Sequence, residues 1–89
     1  MKTLHIKIYG RVQGVGFRYS AEREAHKLNI FGFARNETDG SVSIVAQGEE
    51  AALNTFLAWC HKGPWFAKVD RVEASEVAAD ETFKDFRAR

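Results

Sequence analysis

The chain has 89 residues with 45% hydrophobic content, enough for one globular domain spanning 1–89, and its formal net charge of +1 argues against nucleic acid or an anionic membrane as a partner. Cys60 is the only cysteine, which excludes an internal disulfide and Cys-based zinc sites. Charges interrupt the N-terminal residues and no apolar run reaches the roughly 20 residues that span a bilayer, so we expect a cytoplasmic monomer.

The first third of the chain changes from a strand pattern to a helix pattern. Leu4, Ile6 and Ile8 alternate with more polar residues, which is the period of a strand with one buried face. Three glycines within residues 10–16 predict a loop. Apolar residues then recur at helical spacing, so a helix is expected from near Phe17 to around Asn29.

The rest of the chain predicts further strands and one more helix. The expected elements are a strand at residues 33–36 preceded by Gly32, a turn at 38–40, a strand at 42–48, a helix at 49–62, a strand at 67–77 and a short edge strand at 83–88. The order βαββαβ predicts an α+β fold in which two helices cover one face of an antiparallel sheet. This is the ferredoxin-like α/β sandwich.

The loop between the first strand and the first helix is suited to an anion. Residues 10–18 contain no proline, so every position offers a backbone N–H, and Gly14 and Gly16 allow the chain to curl. The loop leads into a helix N-terminus, where the dipole favours negative charge, and Arg18 adds a planar fork of donors. The alternative is an ordinary glycine-rich connection with an exposed arginine. A P-loop and a dinucleotide-binding loop both fit badly, because the required Lys is absent and Tyr19 stands at the third glycine position.

Topology is expected to bring Asn36 to the same place. In this fold the first two strands run parallel with the third between them, so their C-terminal ends lie about 10 Å apart at one edge of the sheet. Asn36 closes the second strand, and its amide could donate to a phosphate and accept from a water. The alternative is that Asn36 only begins the hairpin turn.

At these residues the chain resembles the acylphosphatase family. One family signature matches Gly10-Arg11-Val12-Gln13-Gly14-Val15-Gly16-Phe17-Arg18, and a second matches Gly32-Phe33-Ala34-Arg35-Asn36 followed by Gly40, Val42 and Gly48. Residues 63–72 resemble the family's fourth-strand region. One departure is Ala88, where the family usually has a larger aliphatic residue, which puts the packing of the edge strand in question.

The resemblance implies a hydrolase that cleaves the carboxyl–phosphate anhydride of small acyl phosphates. It implies that Arg18 binds the phosphate and that Asn36 orients the catalytic water, with no metal and no organic cofactor. It also implies a phosphate cradle of backbone N–H groups from Gln13, Gly14, Val15, Gly16, Phe17 and Arg18. A carboxylate leaving group, whose conjugate acid has a pKa of about 4, needs no general acid, and the water proton could pass to a phosphate oxygen.

Other reactive side chains fit a catalytic role less well. Cys60 lies in an apolar helical stripe and is expected in the core. The three histidines, His5, His26 and His61, are scattered without metal-ligand spacing. Glu37 and Asp39 flank Asn36 and could act as a base, although turn carboxylates are usually solvated. Trp65 and Phe66 are expected in core or rim packing, and no residue is assigned to the acyl group.

Two rival functions share this fold. An RNA-recognition domain would carry its aromatic motif on the third strand, whereas the partial match, residues 31–35, falls on the second. An accessory domain could bind phosphate or carbamoyl phosphate without free turnover. No partner domain is attached to the chain as given, which counts against that reading.

Overall fold

The computed structural model describes all of residues 1–89, which form five strands and two helices. The elements are β1 (Lys2–Arg11), α1 (Phe17–Lys27), β2 (Phe31–Asn36), β3 (Val42–Gly48), α2 (Glu50–Lys62), β4 (Lys68–Glu76) and β5 (Phe86–Ala88). The predicted βαββαβ order with a short C-terminal edge strand is confirmed. Neither helix combines the length and the apolar character needed to cross a bilayer.

The five strands form one sheet in the order β4-β1-β3-β2-β5. Both β1 and β2 pair with β3 in antiparallel register, so they run parallel to each other and end at the same edge. The exception to the antiparallel sheet is β5, which pairs parallel with β2. The edge at which β1 and β2 end is therefore the place where the loop after β1 and the turn after β2 meet.

The core lies between the helices and one face of the sheet. Strand pleating sends alternate residues to this face, where Ile6, Ile8 and Ile44 are fully buried. Aromatic rings join the two helices over this face: Phe17 of α1 packs 5.3 Å from Trp59 of α2, measured between ring centroids. Burial of each large apolar side chain contributes about 1.5–3 kcal/mol, so these contacts hold α1 and its preceding loop on the sheet.

The edge strand β5 forms despite the small side chain at Ala88. Its main chain is held from two sides, because the N–H of Ala88 donates to Glu22 of α1 at 2.8 Å and the N–H of Arg89 donates to the carbonyl of Ala34 at 2.7 Å. Phe86 is fully buried. Main-chain hydrogen bonds and Phe86 thus secure the strand without a larger aliphatic residue at position 88.

Gly32 lies inside β2, whereas the sequence pattern predicted it before the strand. Its φ is +138°, and a Cβ at this position would lie 1.8 Å from the carbonyl oxygen of Val45 on β3. Only glycine permits so close an approach of the two strands. The close approach sets the position of the strand that ends at Asn36.

Replacing Gly32 should therefore cost far more than replacing a glycine with open space around it. We expect Gly32→Ala to lower the free energy of unfolding by at least about 3 kcal/mol, because the backbone of β3 must move. Gly40→Ala is the matched control: its φ is +90° but a Cβ would meet nothing within 4 Å, so about 1 kcal/mol is expected. Urea unfolding of both variants measures the difference, and equal losses would contradict the steric explanation.

Candidate active site

The loop between β1 and α1 is anchored at both ends and exposed in the middle. Val12 and Phe17 are each only 1% exposed, whereas Gly14 and Gly16 are exposed. The two glycines have φ values of +75° and +77°, in the left-handed region that L side chains rarely adopt. The glycines curl the chain, and the two buried side chains fix where the curl sits.

The backbone N–H groups of this loop have no acceptor inside the protein. From Gln13 through Tyr19, no N–H donates to a main-chain or side-chain atom, and the first helical hydrogen bond runs from Ser20 to the carbonyl of Gly16. The first turn of α1 contains no acidic residue and has no side-chain cap. Unpartnered N–H groups and the positive end of the helix dipole together favour an anion at this position.

Arg18 adds a full positive charge to the same helix start. Its guanidinium lies 5.3 Å from the ring centroid of Tyr19, and one of its nitrogens donates to the main-chain oxygen of Arg89. It forms no ion pair with an Asp or Glu side chain. The guanidinium is therefore held by the ring of Tyr19 and by the terminal main-chain oxygen of Arg89, and no Asp or Glu side chain pairs with it.

Asn36 is the last residue of β2 and pairs with Val42 of β3. Counting along the pleat from Gly32 and Ala34, it belongs to the side of the sheet that carries the helices. Its side chain is exposed and makes no hydrogen bond within the protein, so both its amide donors and its carbonyl are available. The fold thus brings the end of β2 to the same edge and the same side as the start of α1.

Gln13 connects the loop to the turn that follows Asn36. Its side-chain nitrogen donates to the carbonyls of Glu37 at 2.8 Å and Ser41 at 2.9 Å. The sequence predicted only a backbone role for Gln13 and missed this contact. A primary amide offers two donors, which suits two converging carbonyls, but those carbonyls converge only once the hairpin has formed.

The two carboxylates beside Asn36 are engaged in the turn itself. Asp39 accepts from the hydroxyl of Ser41 at 2.5 Å, from the N–H of Ser41 at 3.0 Å and from Lys7 at 3.1 Å, which lowers the pKa of Asp39 to about 2. A hydrogen bond from Arg35 at 2.9 Å lowers the pKa of Glu37. A carboxylate with a lowered pKa is a weaker proton acceptor, so neither group is arranged as a general base.

The remaining reactive side chains lie elsewhere. Cys60 is fully buried, and burial raises the pKa of its thiol, so it is not a nucleophile. His5 contacts Ser43 at 3.1 Å on the open face of the sheet, and His26 contacts the carbonyl of Phe86 at 3.0 Å. Nowhere do three His, Cys, Asp or Glu side chains converge in a way that could hold a metal ion.

Trp65 and Phe66 differ from the prediction of core or rim packing. Their side chains are 84% and 61% exposed, and the ring centroids are 4.0 Å apart. Phe66 lines an open pocket together with Arg11, Gly14, Val15 and Gly16. An exposed aromatic pair therefore adjoins the glycine-rich loop.

Fold and site together define a ferredoxin-like α/β sandwich with a glycine-rich loop of unpartnered N–H groups at one edge of its sheet. The sequence profile described as Acylphosphatase matches residues 4–88. The chain belongs to the acylphosphatase family, hydrolases that act on acyl phosphates.

Individual relatives agree with this assignment. The acylphosphatase of Thiobacillus denitrificans is 50% identical over 80 residues, which are 90% of each chain. The crystal structure of acylphosphatase from Bacillus subtilis superimposes with a TM-score of 0.95 at 38% identity, covering 100% of this chain and 99% of that one. The structure of HypF from T. kodakarensis matches with a TM-score of 0.86 at 34% identity. That match covers 100% of this chain but only 12% of HypF.

Removing the side-chain amide of Gln13 should loosen the loop. We expect Gln13→Ala to lower the free energy of unfolding by about 1–2 kcal/mol, the size of two lost hydrogen bonds, and to raise the inhibition constant for inorganic phosphate. Gln13→Glu tests the same hydrogen bonds at constant side-chain length: an ionised carboxylate cannot donate to the two carbonyls, so this variant should lose them as well. Urea unfolding and phosphate inhibition measure both effects. Wild-type behaviour of Gln13→Glu would contradict the proposed connection.

Proposed function

We propose that the loop holds the phosphate of an acyl phosphate through backbone N–H groups of Gln13 to Arg18 and the guanidinium of Arg18. The observation that carries this proposal is the run of loop N–H groups without an acceptor in the protein, at a helix start that already carries Arg18. These donors are fixed before substrate arrives, so little reorganisation is needed as charge develops in the transition state.

Asn36 is proposed to orient the attacking water. Its side-chain carbonyl can accept a hydrogen bond from the water, while its NH₂ donates one to a phosphate oxygen. Together the two contacts place the water oxygen next to phosphorus. The uncommitted amide and its position beside the helix start support this role.

The step balances without an acid or a base from the protein. The water oxygen forms a bond to phosphorus, and the bond from phosphorus to the acyl oxygen breaks with its electron pair leaving on the carboxylate. A proton of the water passes to a phosphate oxygen of the substrate. Carboxylate is a weak base that needs no protonation to leave, and phosphoryl transfer depends mainly on positioning and charge stabilisation. The proposed chemistry therefore requires neither a metal nor an organic cofactor.

The substrate is a small acyl phosphate, and the products are a carboxylate and inorganic phosphate. We further propose that residues 1–89 act as a single domain, as a monomer and in the cytoplasm. The balanced charge and the single, buried cysteine support these proposals. The similarity to a small part of HypF keeps an accessory role as a second candidate, in which phosphate binds without turnover.

Loss of Arg18 and loss of Asn36 should each lower turnover strongly, for different reasons. We expect Arg18→Ala to raise KM and the phosphate inhibition constant and to lower kcat by about 10²- to 10³-fold, the usual cost of one charge-stabilising donor. Asn36→Ala should lower kcat by about 10²-fold or more with a smaller change in phosphate binding, since water positioning and one neutral hydrogen bond to the phosphate are lost while the loop and Arg18 remain.

Hydrolysis of acetyl phosphate and benzoyl phosphate, in the presence of a chelator, measures these effects. Arg35→Ala, an exposed arginine on the open face beside Asn36, is the control and should retain activity. Full activity of Asn36→Ala, or loss of wild-type activity with the chelator, would contradict the mechanism. Phosphate binding without wild-type turnover would favour the accessory role.

The carboxylates next to Asn36 should be dispensable for catalysis. The pKa values of Glu37 and Asp39 are lowered, so both groups stay ionised and hydrogen-bonded across the neutral range. We expect Glu37→Gln and Asp39→Asn to follow the wild-type pH profile of kcat/KM between about pH 5 and 8. A limb of the profile that disappears in either variant would identify that carboxylate as a base.

A further inference from the structure

The exposed aromatic pair lies in the turn between α2 and β4. Trp65 and Phe66 follow Pro64, and both rings project into solvent although each would gain by burial. Their rings contact each other at a centroid distance of 4.0 Å, so Trp65 supports one side of Phe66. Phe66, but not Trp65, also lines a pocket.

That pocket has the glycine-rich loop as its other wall. It is lined by Arg11, Gly14, Val15, Gly16 and Phe66 and has a volume of about 560 Å³, enough for a small organic group. Val15 presents an aliphatic side chain, and the stem of Arg11 is apolar although its tip is charged. The walls therefore combine apolar surface with the same loop that is proposed to hold the phosphate.

The strand order places this pocket and Asn36 on opposite sides of the loop. In the order β4-β1-β3-β2, the loop follows β1, Phe66 precedes β4 on one side, and Asn36 ends β2 on the other. Both lie at the same edge, since Lys68 at the start of β4 pairs with Arg11 at the end of β1. A line from Asn36 across the loop therefore points to Phe66.

In-line displacement determines where the leaving group lies relative to the attacking water. The attacking water and the leaving oxygen must lie on opposite sides of phosphorus. If Asn36 holds the water, the carboxylate and its acyl chain leave toward β4, where the pocket lies.

We propose that this pocket binds the acyl group of the substrate and that Phe66 determines specificity for apolar, aromatic acyl groups. The proposal rests on the proposed function, because it takes the phosphate to be in the loop. A phenyl ring of the acyl group contacts Phe66 and Val15, whereas an acetyl group is too small to reach them. Phe66 thus supplies binding energy for the acyl group and takes no part in holding the phosphate.

The test compares kcat/KM for benzoyl phosphate and acetyl phosphate in Phe66→Ala, Phe66→Leu and the wild type. We expect Phe66→Ala to lose about three- to tenfold with benzoyl phosphate, the size of one aromatic contact, and less than about twofold with acetyl phosphate. Phe66→Leu should restore part of the preference through its apolar surface. The inhibition constant for inorganic phosphate should stay unchanged in both variants.

Val77→Ala is the matched control, because Val77 is also exposed but its main chain bonds to Thr3 near the start of β1, at the other end of the sheet. It should leave the ratio of the kcat/KM values for the two substrates unchanged.

An unchanged ratio of these kcat/KM values in Phe66→Ala would overturn the proposal, whether neither value changes or both fall together. Light scattering adds one further outcome that would overturn it: an unchanged ratio together with a concentration-dependent dimer of the wild type that is absent in Phe66→Ala. The aromatic pair would then bind a second copy of the chain. Failure of the wild type to hydrolyse either substrate contradicts the proposed function itself and is thereby distinguished from these outcomes.

Discussion

The burial of Val12 and Phe17 on either side of a short exposed loop is the constraint on which the rest of the site depends. Phe17 packs against Trp59, and a Cβ on Gly63 would lie 2.5 Å from its ring, so the space around Phe17 is filled. Closely packed side chains cannot shift without losing contacts. The loop between these anchors therefore has little freedom, and its N–H groups keep one direction.

This rigidity suits a reaction that asks little of protein side chains. In the proposed mechanism the leaving group is a carboxylate, so the protein needs only to position a water, the role proposed for Asn36, and to neutralise developing charge, the role proposed for the loop N–H groups and Arg18. The groups that could have offered stronger proton chemistry are committed elsewhere: the carboxylates of Glu37 and Asp39 to the turn, and the thiol of Cys60 to the core. The side chain of Gln13 connects the glycine-rich loop to the turn after β2 through hydrogen bonds to two main-chain carbonyls.

In the proposed complex, the two ends of the substrate lie on opposite sides of the loop at this edge of the sheet. The loop after β1 lies between the end of β2 and the start of β4, so a phosphate held in the loop would have a neighbour on each side. Asn36 belongs to one neighbour and Phe66 to the other. Strand order, which is a property of the whole fold, thereby supports the separate positions that we propose for the water and the acyl group.

The strands, the helices and the glycine-rich loop could be predicted because their signals are local: apolar periodicity, turn residues and missing side chains act over a few neighbours. The chain connectivity also predicted that Asn36 lies at the edge of the sheet that carries the glycine-rich loop, because the crossover through α1 makes β1 and β2 parallel. The start of β2 was predicted two residues late, with Gly32 outside the strand, because the role of Gly32 is steric, a close approach to Val45 that exists only after β3 has paired.

Two features of the site could be found only in the tertiary structure. The side chain of Gln13 meets carbonyls of residues 24 and 28 positions away, and Phe66 meets a loop that precedes it by some fifty residues. Sequence pattern reports which residues prefer burial on average, and it therefore predicted packing for Trp65 and Phe66, which are exposed. The sequence by itself determined the fold, the family and the extent of the glycine-rich loop. Only the packed chain decided what that loop touches, because contacts between distant segments depend on how the layers fit together.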